Sequence, residues 1–165
     1  MDQNIRYPNS VSLESSSAPP QAARHLGRTA AWLAKQVELG LATVDLTLPQ
    51  YRILWLLDYG PSVSSALADR LAVRPPSVTS VVDGLVARGL VERKHDRADR
   101  RQVAHVLTPE GRTTLDAADR AVDSRLAEIA SCLPNERLAE RAEASLELWQ
   151  RAMLAHREQV GGDRR

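Results

Sequence analysis

Cysteine is nearly absent from this sequence: Cys132 is the only one in 165 residues. One thiol excludes an internal disulfide and any zinc site built from several cysteines. Four histidines, His25, His95, His105 and His156, are scattered with no pair at helical metal-ligand spacing, so no metal or other cofactor is expected. Long apolar runs are missing as well; none approaches the ~20 residues of a membrane span. The opening MDQNIRYPNSVSLESSSAPPQ has neither the apolar core of a signal peptide nor the Arg-rich helix of a transit peptide. The expected place is therefore the cytoplasm, without a membrane partner. No GxGxxG, GxSxG or Walker-type loop occurs, and the sequence reads as something other than an enzyme.

Net charge is also almost lacking, at +1, and says nothing about nucleic acid until its distribution is considered. Between Arg70 and Arg101 stand eight basic residues and four acids, a local +4 that leaves the rest of the chain at −3. Positive charge is concentrated in one short central segment. Its densest part is VERKHDRADRRQVAHVLT, Val91 to Thr108, where Arg93, Lys94, Arg97, Arg100 and Arg101 crowd together with three acids. Apolar residues suited to strands flank that crowd on both sides.

The periodicity organises the remainder. Residues 1–20, polar and rich in Ser and Pro, read as a disordered arm. A first helix is expected from about Gln21 to Ala42, with Leu26, Ala30, Leu33 and Val37 on one stripe. Pro49 suits the opening turn of a short apolar helix that ends at Gly60. Ser62 reads as the N-cap of the next helix, whose inner face is Val63, Ala66, Leu67 and Leu71. A break at Ala72–Arg74 precedes Pro75 and Pro76, which fit a first turn but not a helix interior. Val78, Val81, Val82, Leu85 and Val86 then keep helical spacing up to Gly89. Two short helices joined by a tight turn make a helix-turn-helix. Candidate strands at Leu90–Arg93 and Gln102–Leu107 close a hairpin over the charged tip, which turns it into a winged helix.

Thr108 and Pro109 open a long helix to about Cys132, and Pro134 restarts the chain into a last helix carrying Leu138, Ala142, Leu146, Trp149 and Met153. The fold class is thus mostly α with a small β-hairpin wing. A winged helix-turn-helix lobe spans 46–108, with a helical dimerisation region at 21–45 and 109–160 and a flexible tail at 161–165. A lobe of roughly 60 residues covers only part of the apolar surface of those helices, so a homodimer is expected.

On the outer face of the second helix of the pair lie Pro76, Thr79, Ser80, Asp83, Gly84 and Ala87, with Ser77 at the flank. These residues are small, and an α-helix fits the major groove of double-stranded DNA. Ser77, Thr79 and Ser80 are assigned to the groove, and the helix N-terminus, with free amides and Ser and Thr side chains, is expected to hold a phosphate. A projecting arginine suits the narrow minor groove beside it. Arg101 takes that role, Arg97 and Arg100 take phosphates, and Asp99 pairs with an arginine to fix the shape of the wing.

The order of elements and the stretch LTLPQYRILWLL…SALADRLAVRPPSVTSVVDGLVARGLVERKHDRADRRQVAHVLTPEG resemble the MarR family of bacterial transcriptional regulators. The resemblance covers about Leu46 to Gly111, with Asp99-x-Arg101 leading to Leu107-Thr108 and Gly111 as its most specific part. It implies an intertwined homodimer on a palindromic operator, usually a repressor, released by a small phenolic or lipophilic effector. His25, Trp32, Tyr51 and Trp55 lie on the elements that would border such an effector pocket. Family members often carry arginine where this chain has Ser80 and Gly84, which moves binding toward Arg74 and the wing.

Two alternatives remain, one a variant of the same regulator and one of another class. A redox-responsive regulator would use Cys132 as a reactive thiolate, but a helix C-terminus disfavours the anion. The redox members of the resembled family carry their cysteine near the N-terminus instead. A structural dimerisation module without DNA binding would leave the +4 segment unexplained.

Overall fold

The computed structural model describes residues 26–95 and 103–162. Six helices and three short strands follow one another: α1 (Leu26–Ala42), α2 (Leu48–Asp58), β1 (Ser62–Val63), α3 (Ser64–Leu71), α4 (Pro75–Ala87), β2 (Val91–His95), β3 (Val103–Leu107), α5 (Pro109–Ala130) and α6 (Glu136–Gly162). The expectation of a mostly helical chain with a small hairpin wing is met.

Helix α2 sits at the centre because it is apolar nearly all round; Ile53, Leu54, Leu56 and Leu57 are all buried. Its start is fixed by a reciprocal cap. The Thr47 amide donates to Gln50 Oε1 at 2.9 Å, and the Gln50 amide donates to Thr47 Oγ1 at 3.4 Å. Around α2 the core gathers Leu41 from α1, Leu67 from α3, Val78, Val82 and Leu85 from α4, and Leu115 and Ala118 from α5. Burying such side chains stabilises by ~1.5–3 kcal/mol each, and this core holds the helix-turn-helix against α5.

The turn between α3 and α4 runs through Ala72, which takes the left-handed conformation at φ 53. Pro75 then starts α4, as its missing amide costs nothing in a first turn. At the other end Gly89 adopts φ 71, and the Leu90 amide returns to the Leu85 carbonyl at 3.0 Å. That closure turns the chain sharply into β2 and buries Leu90.

The sheet has the order β1-β3-β2, antiparallel throughout. Val91 faces Leu107 and Arg93 faces His105 across the hairpin, while Ser62 pairs with His105 on the opposite edge. Ser62 is therefore a strand residue, which corrects its reading as a helix cap. Val63 occupies the cap position of α3 and makes no side-chain cap bond. The strand is only two residues long, too short to show an alternation. The first hairpin strand also shifts from its expected bounds, β2 running on through Lys94 and His95 into the charged segment.

The sequence-expected N-terminal arm, the first turn of α1 and the wing tip at 96–102 lie outside the described residues. At the other end α6 extends to Gly162, two residues into the expected tail. From Glu140 onward its described side chains are exposed, among them Leu148, Trp149 and Met153 at 59–63%. On α1 only the C-terminal half of the apolar stripe is covered; Leu26 and Trp32 remain exposed.

Candidate nucleic-acid interface

Helix α4 buries one side and leaves the other open. Val78, Val82 and Leu85 face the core, whereas Ser77, Thr79, Ser80 and Asp83 are exposed. The angular reading of the valine stripe placed these residues correctly. Thr79 Oγ1 donates to the Pro75 carbonyl at 3.2 Å, a back-bond that aims its methyl and oxygen along the helix rather than straight out. Pro75, Pro76, Thr79, Ser80 and Asp83 together line a shallow, open depression. No large side chain on that face keeps the backbone from a neighbouring surface.

The N-terminus of α4 is poorer in donors than a helix start usually is. Positions one and two are Pro75 and Pro76, which have no N–H, and the Ser77 amide donates to the Arg74 carbonyl at 3.0 Å. The expectation that free amides hold a phosphate there is corrected on this ground. What that end of the helix offers is polar side chains. Arg74 stands at the N-cap, exposed and without a side-chain cap bond, and the Ser77 hydroxyl is one turn away.

An ion pair that the sequence did not suggest joins this face to the wing. Arg93 on β2 bonds Asp83 on α4 through Nη2 and Oδ1, with both side chains about half exposed. Beneath them His105, only 4% exposed, contacts Ser64 Oγ through Nε2 at 2.8 Å. Its Nδ1 has no hydrogen-bond partner. Burial lowers the pKa of His105 from its ordinary value, and the positive charge of Arg93 adds to that effect while Asp83 opposes it. The ring is thus kept neutral under the wing. A signal for the ion pair exists in hindsight: Asp83 is the one acid on an otherwise uncharged helix face.

The base of the wing is stapled to α5. Thr108 Oγ1 donates to the Gly89 carbonyl at 2.8 Å and accepts from the Gly111 amide at 2.9 Å. Its own amide donates to the Leu90 carbonyl at 3.2 Å. These contacts set the direction in which the hairpin leaves the lobe. Arg97, Asp99, Arg100 and Arg101, the four wing residues picked from the sequence, lie outside the described residues.

Of the residues expected to border an effector pocket, Trp32, Tyr51 and Trp55 are among the described residues. His25 lies outside the described residues, and Trp32 is 60% exposed on α1. Tyr51 is half-buried and donates its hydroxyl to Asp119 Oδ1 on α5 at 2.6 Å. Burial, then the Asp119 hydrogen bond, raises its pKa well above the usual phenol range. Trp55 packs against the core and meets Tyr59 edge-on at 5.8 Å. An apolar hollow of about 190 Å³ between α2 and α4 is lined by residues such as Pro49, Ile53, Leu71, Val73 and Val81. Cys132 is exposed, its thiol 3.7 Å from the Glu128 carbonyl. Among the described residues no cluster of three or more His, Cys, Asp or Glu is arranged to hold a metal ion, and no helix is long and apolar enough to cross a membrane.

Comparison with known proteins agrees with this architecture. The model of the MarR family matches residues 44–102. An HTH-type transcriptional repressor of Mycobacterium tuberculosis is 33% identical over 105 residues, covering 61% of this chain and 76% of the relative. The transcriptional repressor CouR, solved bound to a 23-mer DNA duplex, superposes with a TM-score of 0.65 at 27% identity, over 86% of this chain and 99% of CouR. CouR from Rhodococcus jostii bound to p-coumaroyl-CoA gives 0.60 at 25% identity, over 80% and 94% of the two chains. On the winged helix-turn-helix and on these likenesses, the chain belongs to the MarR family of transcriptional regulators.

Proposed function

We propose that this regulator works as a homodimeric repressor that grips a palindromic operator in double-stranded DNA and leaves it when a small aromatic or lipophilic effector binds. The observation that carries the reading is the open face of α4, with Ser77, Thr79 and Ser80 exposed beside the wing sheet. CouR, solved on a DNA duplex, aligns over almost its full length with the chain that bears this face. Arg74 and the hydroxyl of Ser77 hold a phosphate at the start of the helix, and Thr79 and Ser80 enter the major groove. Arg97 and Arg100 reach phosphates, Arg101 enters the minor groove, and Asp99 braces the wing.

Exposed apolar side chains on the long helices support the dimer. Leu148, Trp149, Met153 and Leu154 on α6 and Leu26 and Trp32 on α1 are 48–63% exposed. A second copy is the partner that gives both subunits the same cover. Two-fold symmetry then sets the recognition helices roughly 34 Å apart, one turn of the duplex. The work of such a protein lies in the cytoplasm, with the chromosome.

CouR binds an aromatic acyl thioester, which supports an aromatic or lipophilic effector here. His25, Trp32, Tyr51 and Trp55 are the residues proposed to meet it, between the dimer helices and the lobe. A gel shift with DNA upstream of the protein's own gene, in a salt series with and without salicylate, tests the whole reading. Tight binding that weakens steeply with salt is expected, since counterions are released from each neutralised phosphate. Absence of any salt-sensitive binding, both there and in random-sequence selection, would return the chain to a dimerisation module.

A further inference from the structure

Helix α4 lacks the arginine that many DNA-reading helices use, and the ion pair between α4 and the wing suggests where its replacement stands. Arg93 leaves β2 and reaches Asp83, one turn beyond Thr79 and Ser80 on the exposed face. Asp83 borders the same open depression as Thr79 and Ser80, and Arg93 reaches Asp83 from β2. An unpaired carboxylate there would repel the phosphates on both sides of the groove. Paired, it does something different. It neutralises itself and holds a flexible arginine in one orientation.

The chemistry of the guanidinium then matters. Five N–H donors are arranged in a planar fork, and Asp83 engages it through one terminal nitrogen. Among the described residues no other hydrogen bond or ion pair to that guanidinium occurs. A guanidinium bonded through one terminal nitrogen still has the donors to serve a second planar acceptor pair. In the major groove that pair is guanine O6 and N7, the commonest arginine target. The strand beneath cannot drift, because β2 pairs with β3 residue by residue, Arg93 facing His105. His105 is in turn buried against Ser64 at the start of α3.

We propose that Arg93, oriented by Asp83, reads a guanine edge in each half-site and so supplies from the wing strand the base contact that Ser80 and Gly84 do not. Asp83 is the positioning residue and Arg93 the contacting one. This rests on the reading of the chain as a DNA-binding regulator and adds a residue to it. It also gives the operator one required feature: a G·C pair at a fixed distance from the dyad, contacted in the major groove.

The test begins with selection from random DNA by the full-length wild-type protein, followed by the same selection with Arg93→Ala, Arg93→Lys and Asp83→Asn. Thermal melting of each variant checks that it is folded. The wild type is expected to enrich one G·C position per half-site that Arg93→Ala no longer enriches, with about a tenfold or greater loss of affinity for the selected operator. Arg93→Lys keeps the charge but not the fork, and the preference is expected to vanish in it too. Asp83→Asn is expected to blunt preference at the same position and nowhere else.

A folded Arg93→Ala protein that enriches the same sequence as wild type overturns the proposal while leaving DNA binding intact. So does a uniform loss across all sequences with a shallower salt dependence, the mark of a phosphate contact. A wild type that binds no DNA overturns the functional reading and this inference with it.

Discussion

Gly111, in the first turn of α5, sits directly against the backbone of Leu90 at the start of the wing. A Cβ added there would collide with the Leu90 carbonyl oxygen and stand 2.9 Å from Leu107 Cδ1. The close approach is what lets Thr108 bond both Gly89 and Gly111, so the wing's exit from the lobe depends on a missing methyl group. Gly111→Ala is expected to lower stability by about 1–3 kcal/mol, the usual cost of overpacking a tight site. Urea unfolding read by circular dichroism measures it. An unchanged midpoint would mean that α5 slides away from Leu90 at no cost.

Tyr51 and Asp119 tie α2 to α5 through a half-buried hydrogen bond of 2.6 Å. Tyr51→Phe removes the donor and leaves the carboxylate without it. A loss of about 1.5–3 kcal/mol is expected for a hydrogen bond to a charged group. Burial and the neighbouring carboxylate raise the pKa of this phenol, so a phenolate titration of the wild type should contain a late component. That component should be missing in Tyr51→Phe. If the variant titrates like the wild type, the tyrosine is more exposed than its position requires.

His105 makes stability depend on pH in a defined direction. Its folded pKa is lowered below the ordinary value of 6.5, mainly by burial. The unfolded chain therefore binds the proton more readily than the folded one, and stability rises with pH wherever that holds. The neutral ring's full contribution is present above about pH 6.5, and it is lost as pH falls through the folded pKa. His105→Phe should reduce the loss of stability between pH 7.5 and pH 5, measured as the change in urea midpoint. An equal pH dependence in both proteins would place the titrating group elsewhere.

The parts of this molecule that were legible in the sequence are those set by local pattern. The valine stripe of α4 gave both its buried side and its open face, because one helix repeats one angle. Thr108 and Pro109 marked the start of α5, since cap chemistry is contained within four residues. What escaped was long-range. β1 is two residues long and exists only because β3 lies beside Ser62 and Val63. The Asp83–Arg93 pair joins a helix to a strand, and neither residue signals its partner. The two prolines were read correctly as a helix start, yet their missing amides were not carried through to the phosphate they fail to bind. Effector residues were harder still, as a pocket depends on how α1, α2 and α5 pack together.

Exposed side chains on α6 give a prediction about assembly. Trp149 and Met153 are 59% and 62% exposed, and burial of a large apolar side chain stabilises by ~1.5–3 kcal/mol. The double variant Trp149→Ser, Met153→Ser is expected to shift the protein from dimer toward monomer in sedimentation equilibrium, with its winged lobe still folded. DNA affinity should fall with it, since half-sites are then bound singly. A dimer of unchanged strength would move the interface to another face of the long helices.

The arginines of the wing tip are expected to differ from one another in a measurable way. Arg101, proposed for the minor groove, is expected to contribute sequence preference, whereas Arg97 and Arg100, proposed for phosphates, are expected to contribute charge. Arg101→Ala should cost about 1–3 kcal/mol of operator binding and relax preference at one position. Arg97→Ala and Arg100→Ala should each weaken binding to all sequences alike and reduce the salt slope by about 1. Affinities for operator and unrelated DNA across a salt series separate the two behaviours. If Arg101→Ala binds its operator as tightly as wild type, the minor-groove role is wrong. A shallower salt slope with unaltered preference would instead make Arg101 a third phosphate contact, and base discrimination would then rest on the α4 face and Arg93.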